Sequence, residues 1–228
     1  VEDAACAVGS EIRIGDHWEM IGRPHGVMAC FSFHPRKVIT TGEGGLITTN
    51  DPKLDERCRA YRQHGRPATS SEYESLGTNF RLSDLQASVG RAQLAKLDVI
   101  LKRRRALAAV YQESLAELEE VELPLEPEWA RSNWQSYCLR VTDSIDVDAL
   151  RGFLLTKGIS ALGGVMCAHL EEAYGKDGEP WRGGSLEVSE SIQRQGLMLP
   201  LYPGMTPDEQ GAVIEALCEG IDYLTTTR

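Results

Sequence analysis

The stretch FSFHPRKVITTGEGG, residues 31–45, determines how the rest of the chain is interpreted. The run GVMACFSF, residues 26–33, has the length and residue types of a strand buried on both faces. A second strand is predicted for GGLITTN, residues 44–50. Lys37 therefore stands between two strands, either as an ordinary surface charge or as a nucleophile held at the end of a sheet.

Composition and charge describe an acidic globular protein. The 228 residues carry a net charge of −10, from 24 basic and 34 acidic side chains. This balance disfavours nucleic-acid binding, which usually requires a basic surface. The one basic run, LKRRRALA at residues 101–108, is expected to be a solvated helix face or an intersubunit contact. No apolar stretch approaches the about 20 residues that span a bilayer, and no signal peptide is recognisable, so no membrane partner is expected.

Cysteine and histidine spacing argues against a metal site. The six cysteines form no CxxC pair, and the five histidines form no HxxxH pair. The cysteines are therefore interpreted as reduced thiols, which predicts a cytoplasmic protein.

Alternating strand and helix signals predict an α/β fold. Pro52 can open a helix that ends by Gly65, and Ser83 with Gln86 forms a capping box for a second helix. A third helix is predicted after Asp98, with an apolar stripe that extends to Leu118.

The run VELPLEP, residues 121–127, is interpreted as a hinge, so residues 1–120 are predicted to form one domain and residues 121–228 a smaller one. The smaller domain is predicted to contain a strand at residues 136–141, a helix at residues 146–158 and a glycine-rich loop at residues 175–184 that includes Trp181. A final helix is predicted after Thr206, with Glu209 closing its capping box.

Residues near Lys37 match the needs of pyridoxal phosphate chemistry. A Schiff-base lysine requires partial desolvation, a carboxylate for the ring nitrogen and donors for the phosphate. Asp3 follows a probable strand, Ser32 offers a hydroxyl, and TTGEGG at residues 40–45 allows close backbone approach to a ligand. Each feature alone is more simply a cap, a surface charge or a turn. Only their order and spacing favour a cofactor site.

Four segments, in order, resemble the DegT/DnrJ/StrS-type sugar aminotransferases, which are pyridoxal-phosphate enzymes of the aspartate-aminotransferase fold. They are EDAA at residues 2–5, the opening stretch, RQHG at residues 62–65 and GTNFRLSDLQASVGRAQLAKLD at residues 77–98. LPLYPGMTPDE, residues 199–209, is a further similar element. The resemblance implies an α/β, fold-type-I transferase, here comprising part of the large mixed-sheet domain and a smaller C-terminal α+β domain.

The resemblance also implies roles for individual residues. Lys37 matches the lysine that binds pyridoxal phosphate and moves protons during catalysis. Asp3 matches the partner of the ring nitrogen, and Ser32 matches a phosphate ligand. Asn79 matches a phosphate ligand donated across a dimer interface. Cys6 stands at a cofactor-binding position near the ring hydroxyl, where the family usually has glutamine or histidine.

On the substrate side, Arg81 lies beside the phosphate ligand in sequence, and His169 falls near a position where the family often has histidine. Arg36 and Val38 flank the lysine where smaller or amide residues are common. The family also has a longer N-terminal part, with a phosphate-binding loop and an aromatic residue stacked on the ring, before the segment that matches residues 2–5.

The implied function is transfer of an amino group, with glutamate as the donor, to a nucleotide-linked keto sugar by a cytoplasmic homodimer with a shared active site. Relatives with histidine at the position of Lys37 dehydrate sugars instead, so the lysine favours transamination. The alternative is a catalytically incomplete fragment that acts at most as a dimerising or pyridoxal-phosphate-sensing module.

Overall fold

The computed structural model of the protein describes residues 1–175 and 186–226. Its strands are β1 (Glu2–Asp3), β2 (Glu11–Ile14), β3 (His17–Met20), β4 (Ala29–Ser32), β5 (Gly45–Thr48), β6 (Val121–Glu122), β7 (Ala130–Arg131), β8 (Tyr137–Val141), β9 (Leu162–Gly163) and β10 (Gly196–Leu199). Its helices are α1 (Pro52–Tyr61), α2 (Asp84–Leu94), α3 (Leu97–Ser114), α4 (Val147–Thr156), α5 (Glu172–Gly175), α6 (Glu187–Gln195) and α7 (Pro207–Thr226), with a 3-10 turn at Ala168–Leu170.

The chain divides into two compact units. The first comprises Val1–Arg103 and Glu126–Gln135, and the second comprises Arg104–Leu125 and Ser136–Arg228. The chain therefore passes from the first unit to the second more than once. The expected domain boundary after residue 120 stays a prediction.

In the first unit, a mixed three-stranded sheet has the order β1-β4-β5. β1 runs parallel to β4, with Asp3 opposite Cys30, and β4 runs antiparallel to β5, with Ser32 opposite Gly45. β4 is less buried than the sequence predicted, since of its four residues only Ala29 is fully buried. One face of β4 borders an apolar cavity of ≈ 530 Å³ whose lining includes Phe31 and Leu46, so that face is not fully covered.

A second sheet in this unit has the order β3-β2-β7 and was not predicted from the sequence. Its β2–β3 hairpin turns through Gly15 and Asp16, and Gly15 has a φ of 59°, as the tight two-residue hairpin turns require. β7 joins the other side of β2, where the Arg131 guanidinium lies 3.9 Å from the centroid of the Trp18 ring.

Two helices of the first unit, α1 and α2, begin where the sequence predicted, whereas α3 begins at Leu97, slightly before the predicted start after Asp98. Asp51 caps α1 by accepting a hydrogen bond from the Lys53 amide at 2.8 Å, and Pro52 occupies its first turn. The capping box of α2 is confirmed: the Gln86 amide donates to Ser83 Oγ at 3.3 Å, and Gln86 Oε1 accepts from the Ser83 amide at 3.1 Å. α1 ends earlier than expected, at Tyr61, and Gly65 lies in the turn that follows.

Gly65 is expected to tolerate no side chain. Its φ is 83°, and a Cβ there would lie 1.8 Å from the Ser75 carbonyl oxygen. A residue with a Cβ in the left-handed conformation costs about 1–2 kcal/mol. Because of the additional clash, Gly65→Ala should lower the free energy of unfolding by more than this amount. Gly42→Ala is the matched control, because Gly42 has a φ of 79° with nothing within 4 Å of its Cβ position. If urea denaturation shows the same loss in the free energy of unfolding for Gly65→Ala and Gly42→Ala, the steric explanation is contradicted.

The second unit contains an antiparallel sheet of order β6-β8-β10-β9. β8 coincides with the predicted strand and shows strictly alternating burial, with Tyr137, Leu139 and Val141 buried. α4 packs against α7. The fully buried side chains of this core include Leu150, Leu154, Leu197, Leu217 and Ile221.

The final capping box is confirmed, because the Glu209 amide donates to Thr206 Oγ1 at 3.2 Å and the Thr206 amide donates to Glu209 Oε2 at 2.7 Å. The stripe predicted for α3 extended too far, since Leu118 follows the helix end at Ser114. The predicted glycine-rich loop lies almost entirely outside the described residues. In the described ranges, no helix combines the length and apolar character needed to cross a membrane.

Two buried tyrosines of the second unit are expected to make stability fall at alkaline pH. Tyr111 and Tyr137 have ring centroids 5.0 Å apart, and Tyr111 Oη donates to the Pro200 carbonyl at 2.8 Å. Burial raises the pKa of Tyr137 to about 12 and also raises the pKa of Tyr111. Above pH ~10 the unfolded chain loses these protons while the folded chain keeps them.

The contribution of these tyrosines to the free energy of unfolding should therefore stay constant below pH ~10. Between pH ~10 and pH ~12 the free energy of unfolding should fall by about 1.4 kcal/mol per pH unit for each tyrosine. Urea denaturation of Tyr137→Phe across this range should show a shallower fall. Tyr73→Phe, at an exposed site, should keep the full slope. A Tyr137→Phe variant that keeps the full slope would contradict the assignment.

Candidate functional site

Four of the predicted site residues meet at one edge of the first unit's mixed sheet. Asp3 ends β1 and Ser32 ends β4, and these parallel strands present their carboxyl ends at the same edge. Lys37 lies in the turn that follows β4, and Cys6 in the turn that follows β1. Lys37 Nζ donates a hydrogen bond to Cys6 Sγ at 2.8 Å, which joins the two turns.

The functional groups at this edge differ in exposure. The Asp3 carboxylate is exposed, and its Oδ1 accepts a hydrogen bond from the Ala5 amide at 3.1 Å. Ser32 is half-buried, and its Oγ accepts from the His34 amide at 3.3 Å. Lys37 is also half-buried, and its amide closes a turn onto the His34 carbonyl at 2.9 Å. The site thus holds a half-buried lysine at the same sheet edge as an exposed carboxylate and a half-buried serine.

The residues after Lys37 anchor it to a hydrophobic cluster. Val38 and Ile39 are only 6% and 3% exposed and pack with Leu97 and Leu101 of α3. Val38, beside the lysine, is thus part of the buried core of this unit. The lysine side chain extends from a backbone that burial holds in place.

Residues 133–135, which the sequence did not mark as part of the site, form hydrogen bonds to both turns. Asn133 is 2% exposed, and its Nδ2 donates to the carbonyls of Cys6 at 2.8 Å and Val8 at 2.9 Å. Its Oδ1 accepts from the Gln135 amide at 2.9 Å. The Asn133 amide nitrogen therefore fixes the turn that carries Cys6, while its oxygen orders the segment that leads to Gln135.

Gln135 holds the backbone on both sides of Lys37. Its Oε1 accepts from the Val38 amide at 2.9 Å, and its Nε2 donates to the Arg36 carbonyl. Trp134, between the two amides, has a left-handed φ of 48°, which is uncommon for a bulky residue and costs about 1–3 kcal/mol. No sequence motif marks this segment. Its only distinctive feature in the sequence is a tryptophan between two amide side chains.

The predicted substrate and intersubunit residues lie elsewhere in the chain. Asn79 and Arg81 are exposed, and Arg81 Nε donates to Asn79 Oδ1 at 2.9 Å, while Asn79 forms a β-bridge with Gln63. In the part of the chain that the structure describes, these contacts do not bring either residue to Lys37.

His169 belongs to the second unit. Its side chain is 8% exposed, and its Nε2 lies 3.0 Å from Glu190 Oε1, a hydrogen bond that lowers the pKa of Glu190. It borders a cavity of ≈ 480 Å³ whose other lining residues include Cys167 and Ile192.

The edge formed by β1 and β4 suits a ligand with an aldehyde, a basic ring nitrogen and a phosphate. Lys37 supplies an amine for the aldehyde, Asp3 a negative charge for the nitrogen, and Ser32 a hydroxyl for the phosphate. Gly45 keeps β5 close to β4, because a Cβ there would lie 2.7 Å from the Phe31 carbonyl oxygen. The residues present therefore fit pyridoxal phosphate.

Comparisons with known proteins agree with this fit. The sequence pattern of the DegT/DnrJ/EryC1/StrS aminotransferase family matches residues 1–218. The chain is 38% identical over 96% of its length to the dTDP-3-amino-3,4,6-trideoxy-alpha-D-glucose transaminase of Streptomyces venezuelae. It is 36% identical, also over 96% of its length, to the erythromycin biosynthesis sensory transduction protein EryC1 of Saccharopolyspora erythraea.

Among solved structures, the crystal structure of S. venezuelae DesV in complex with a ketimine intermediate matches 95% of the chain with a TM-score of 0.81 and 37% identity. This likeness confirms the predicted fold class. The chain covers 55% and 58% of the two curated relatives and 56% of the DesV chain, so it spans little more than half of their length.

Proposed function

Because the chain belongs to the DegT/DnrJ/EryC1/StrS aminotransferase family, we propose that the protein is a pyridoxal-phosphate-dependent aminotransferase that transfers an amino group from glutamate to a nucleotide-linked keto sugar. The observation that carries this proposal is the placement of Lys37 at the edge where Asp3 and Ser32 end parallel strands, with its amine 2.8 Å from Cys6 Sγ.

Pyridoxal phosphate, when bound, supplies the electron sink that such transfers require. Lys37 would hold the cofactor through its amine, and the same amine would serve as the group that accepts and donates the proton during transfer. Asp3 would pair with the ring nitrogen and favour its protonated form, because a carboxylate stabilises a nearby positive charge. Ser32 would donate its hydroxyl hydrogen to the phosphate, and Cys6 would stand near the ring hydroxyl, where the family usually has glutamine or histidine.

The remaining residues act in an assembled dimer under this proposal. Asn79 is exposed, which suits a residue that reaches the phosphate in the partner copy's site. Arg81, held by Asn79 at 2.9 Å, and His169 are proposed to contact the sugar nucleotide. The homodimer and the cytoplasmic location are part of the same proposal.

The substrate class rests on the relative from S. venezuelae, whose name describes a transaminase for a dTDP-linked 3-amino sugar. An amino sugar of this kind forms when an amino group replaces the oxygen of a keto group on the ring. A nucleotide-linked keto sugar is therefore the acceptor that we propose.

The test is a transfer assay with the purified protein, pyridoxal phosphate, glutamate and a dTDP-linked 3-keto sugar. The expected products are 2-oxoglutarate and an amino sugar nucleotide, both detected by mass spectrometry. Formation of 2-oxoglutarate with no aminated product from a panel of dTDP- and UDP-linked keto sugars would contradict the proposed acceptor. Formation of neither product would contradict the proposed activity.

A second candidate is a module that binds pyridoxal phosphate without turnover. It is favoured by the name of the S. erythraea relative, a sensory transduction protein. The same assay separates the two, because a sensing module would bind the cofactor and release no 2-oxoglutarate.

A further inference from the structure

The contact between Cys6 and Lys37 joins an accessible thiol to the amine at the centre of the proposed site. Cys6 Sγ lies 2.8 Å from Lys37 Nζ. All six cysteines lie in the described residues, and among them Cys6 alone is exposed. A dissolved oxidant therefore reaches Cys6 before the other thiols, since oxidation follows exposure as well as thiolate character.

The surrounding fold holds this pair together. Asn133, which is 2% exposed, donates a hydrogen bond to the Cys6 carbonyl, and Gln135 forms hydrogen bonds with the backbone on both sides of Lys37. The two turns are thus fixed to one three-residue segment. The flexible four-carbon stem of the lysine can close the remaining gap to sulfur without backbone movement.

We propose that hydroperoxides convert this pair into a reversible covalent cross-link between Cys6 Sγ and Lys37 Nζ. The Cys6 sulfur first attacks the peroxide, so that an S–O bond forms, the O–O bond breaks and water or an alcohol leaves. The sulfur loses two electrons, which the peroxide gains, and the product is a sulfenic acid.

The neutral Lys37 amine then attacks the sulfenic sulfur. An S–N bond forms, the S–O bond breaks, and the hydroxyl group leaves as water with a proton from the amine, as in the condensation of sulfenic acids with nitrogen nucleophiles. An added thiol reverses the link by attacking the same sulfur and returning two electrons, which releases the amine and forms a disulfide that a second thiol reduces.

This inference goes beyond the proposed function and does not depend on it, since it requires only the contact and an oxidant. If the proposed function holds, the cross-link occupies the amine that the transfer needs. Oxidation would then switch the protein off until a thiol reductant restores it.

The test treats the purified, cofactor-free protein with hydrogen peroxide and measures its intact mass. The expected result is a loss of about 2 Da, the two hydrogens removed when the S–N bond forms. Peptide mapping should join the segments that contain Cys6 and Lys37, and trypsin should fail to cleave after Lys37. Dithiothreitol should restore both the original mass and the cleavage.

Matched variants identify the two atoms. Cys58→Ser removes a half-buried thiol on α1 and should keep the cross-link, whereas Cys6→Ser should abolish it. Lys37→Met should leave Cys6 to gain about 16 or 32 Da of oxygen. The proposal is overturned if the oxidised wild-type protein carries oxygen on Cys6 while trypsin still cleaves after Lys37. Because this readout uses the wild-type protein, it holds even where a variant fails to fold, and it is independent of any transferase activity.

Discussion

Replacement of Lys37 with alanine is expected to reduce amino-group transfer by at least about 10³-fold. The turn after β4 places this lysine at the carboxyl edge of β1 and β4, and its amine is the nucleophilic nitrogen in contact with the Cys6 turn. Alanine removes both the group that holds the cofactor and the group that moves the proton. The fold should survive, because the adjacent Val38 and Ile39 supply the buried contacts.

Lys53→Ala is the control for the loss of a lysine. Lys53 is exposed on α1, and its side chain has no role in the proposed site. The rate of 2-oxoglutarate formation from glutamate should be unchanged in this variant. Retention of more than about a tenth of the wild-type rate by a folded Lys37→Ala protein would contradict the role assigned to the lysine.

Replacement of Asn133 with aspartate is expected to lower the free energy of unfolding by about 2–4 kcal/mol. Aspartate keeps the shape of the side chain and can still accept from the Gln135 amide. It cannot donate to the carbonyls of Cys6 and Val8, which lose partners that lie at 2.8 and 2.9 Å. A buried negative charge facing two carbonyl oxygens adds a desolvation cost.

Asn50→Asp is the control, since Asn50 is exposed beside the end of β5. Urea denaturation at pH 7 should show a loss below about 0.5 kcal/mol for this variant. Asn133→Asp should also loosen the turns that carry Cys6 and Lys37 and so weaken pyridoxal phosphate binding. If Asn133→Asp and Asn50→Asp have the same free energy of unfolding, the stabilising role of the Asn133 hydrogen bonds is contradicted.

The features that the sequence predicted well are local in the chain. The capping boxes at Ser83 and Thr206 require only residues within one helical turn, and both are present as predicted. The turn that carries Lys37 was likewise recognisable, because strand residues and glycines flank it. The family resemblance added the order of the segments, which no local pattern contains.

The features that the sequence did not predict depend on contacts between distant residues. Asn133 and Gln135 grip the turns of Cys6 and Lys37 from about a hundred residues further along the chain. An amide beside a buried tryptophan has no periodic or capping signature, so its carbonyl partners could not be inferred. The contact of Lys37 with Cys6 is of the same kind, since it follows from the parallel pairing of β1 with β4.

The visible absorption spectrum of the protein mixed with pyridoxal phosphate, recorded before and after glutamate, tests the account most directly. An absorption band at about 410–430 nm, typical of a lysine-bound cofactor, is expected in the wild-type protein and not in the Lys37→Ala variant. Glutamate should bleach it. No band in a folded wild-type protein, or an equal band in Lys37→Ala, would contradict the assignment of the cofactor site to Lys37.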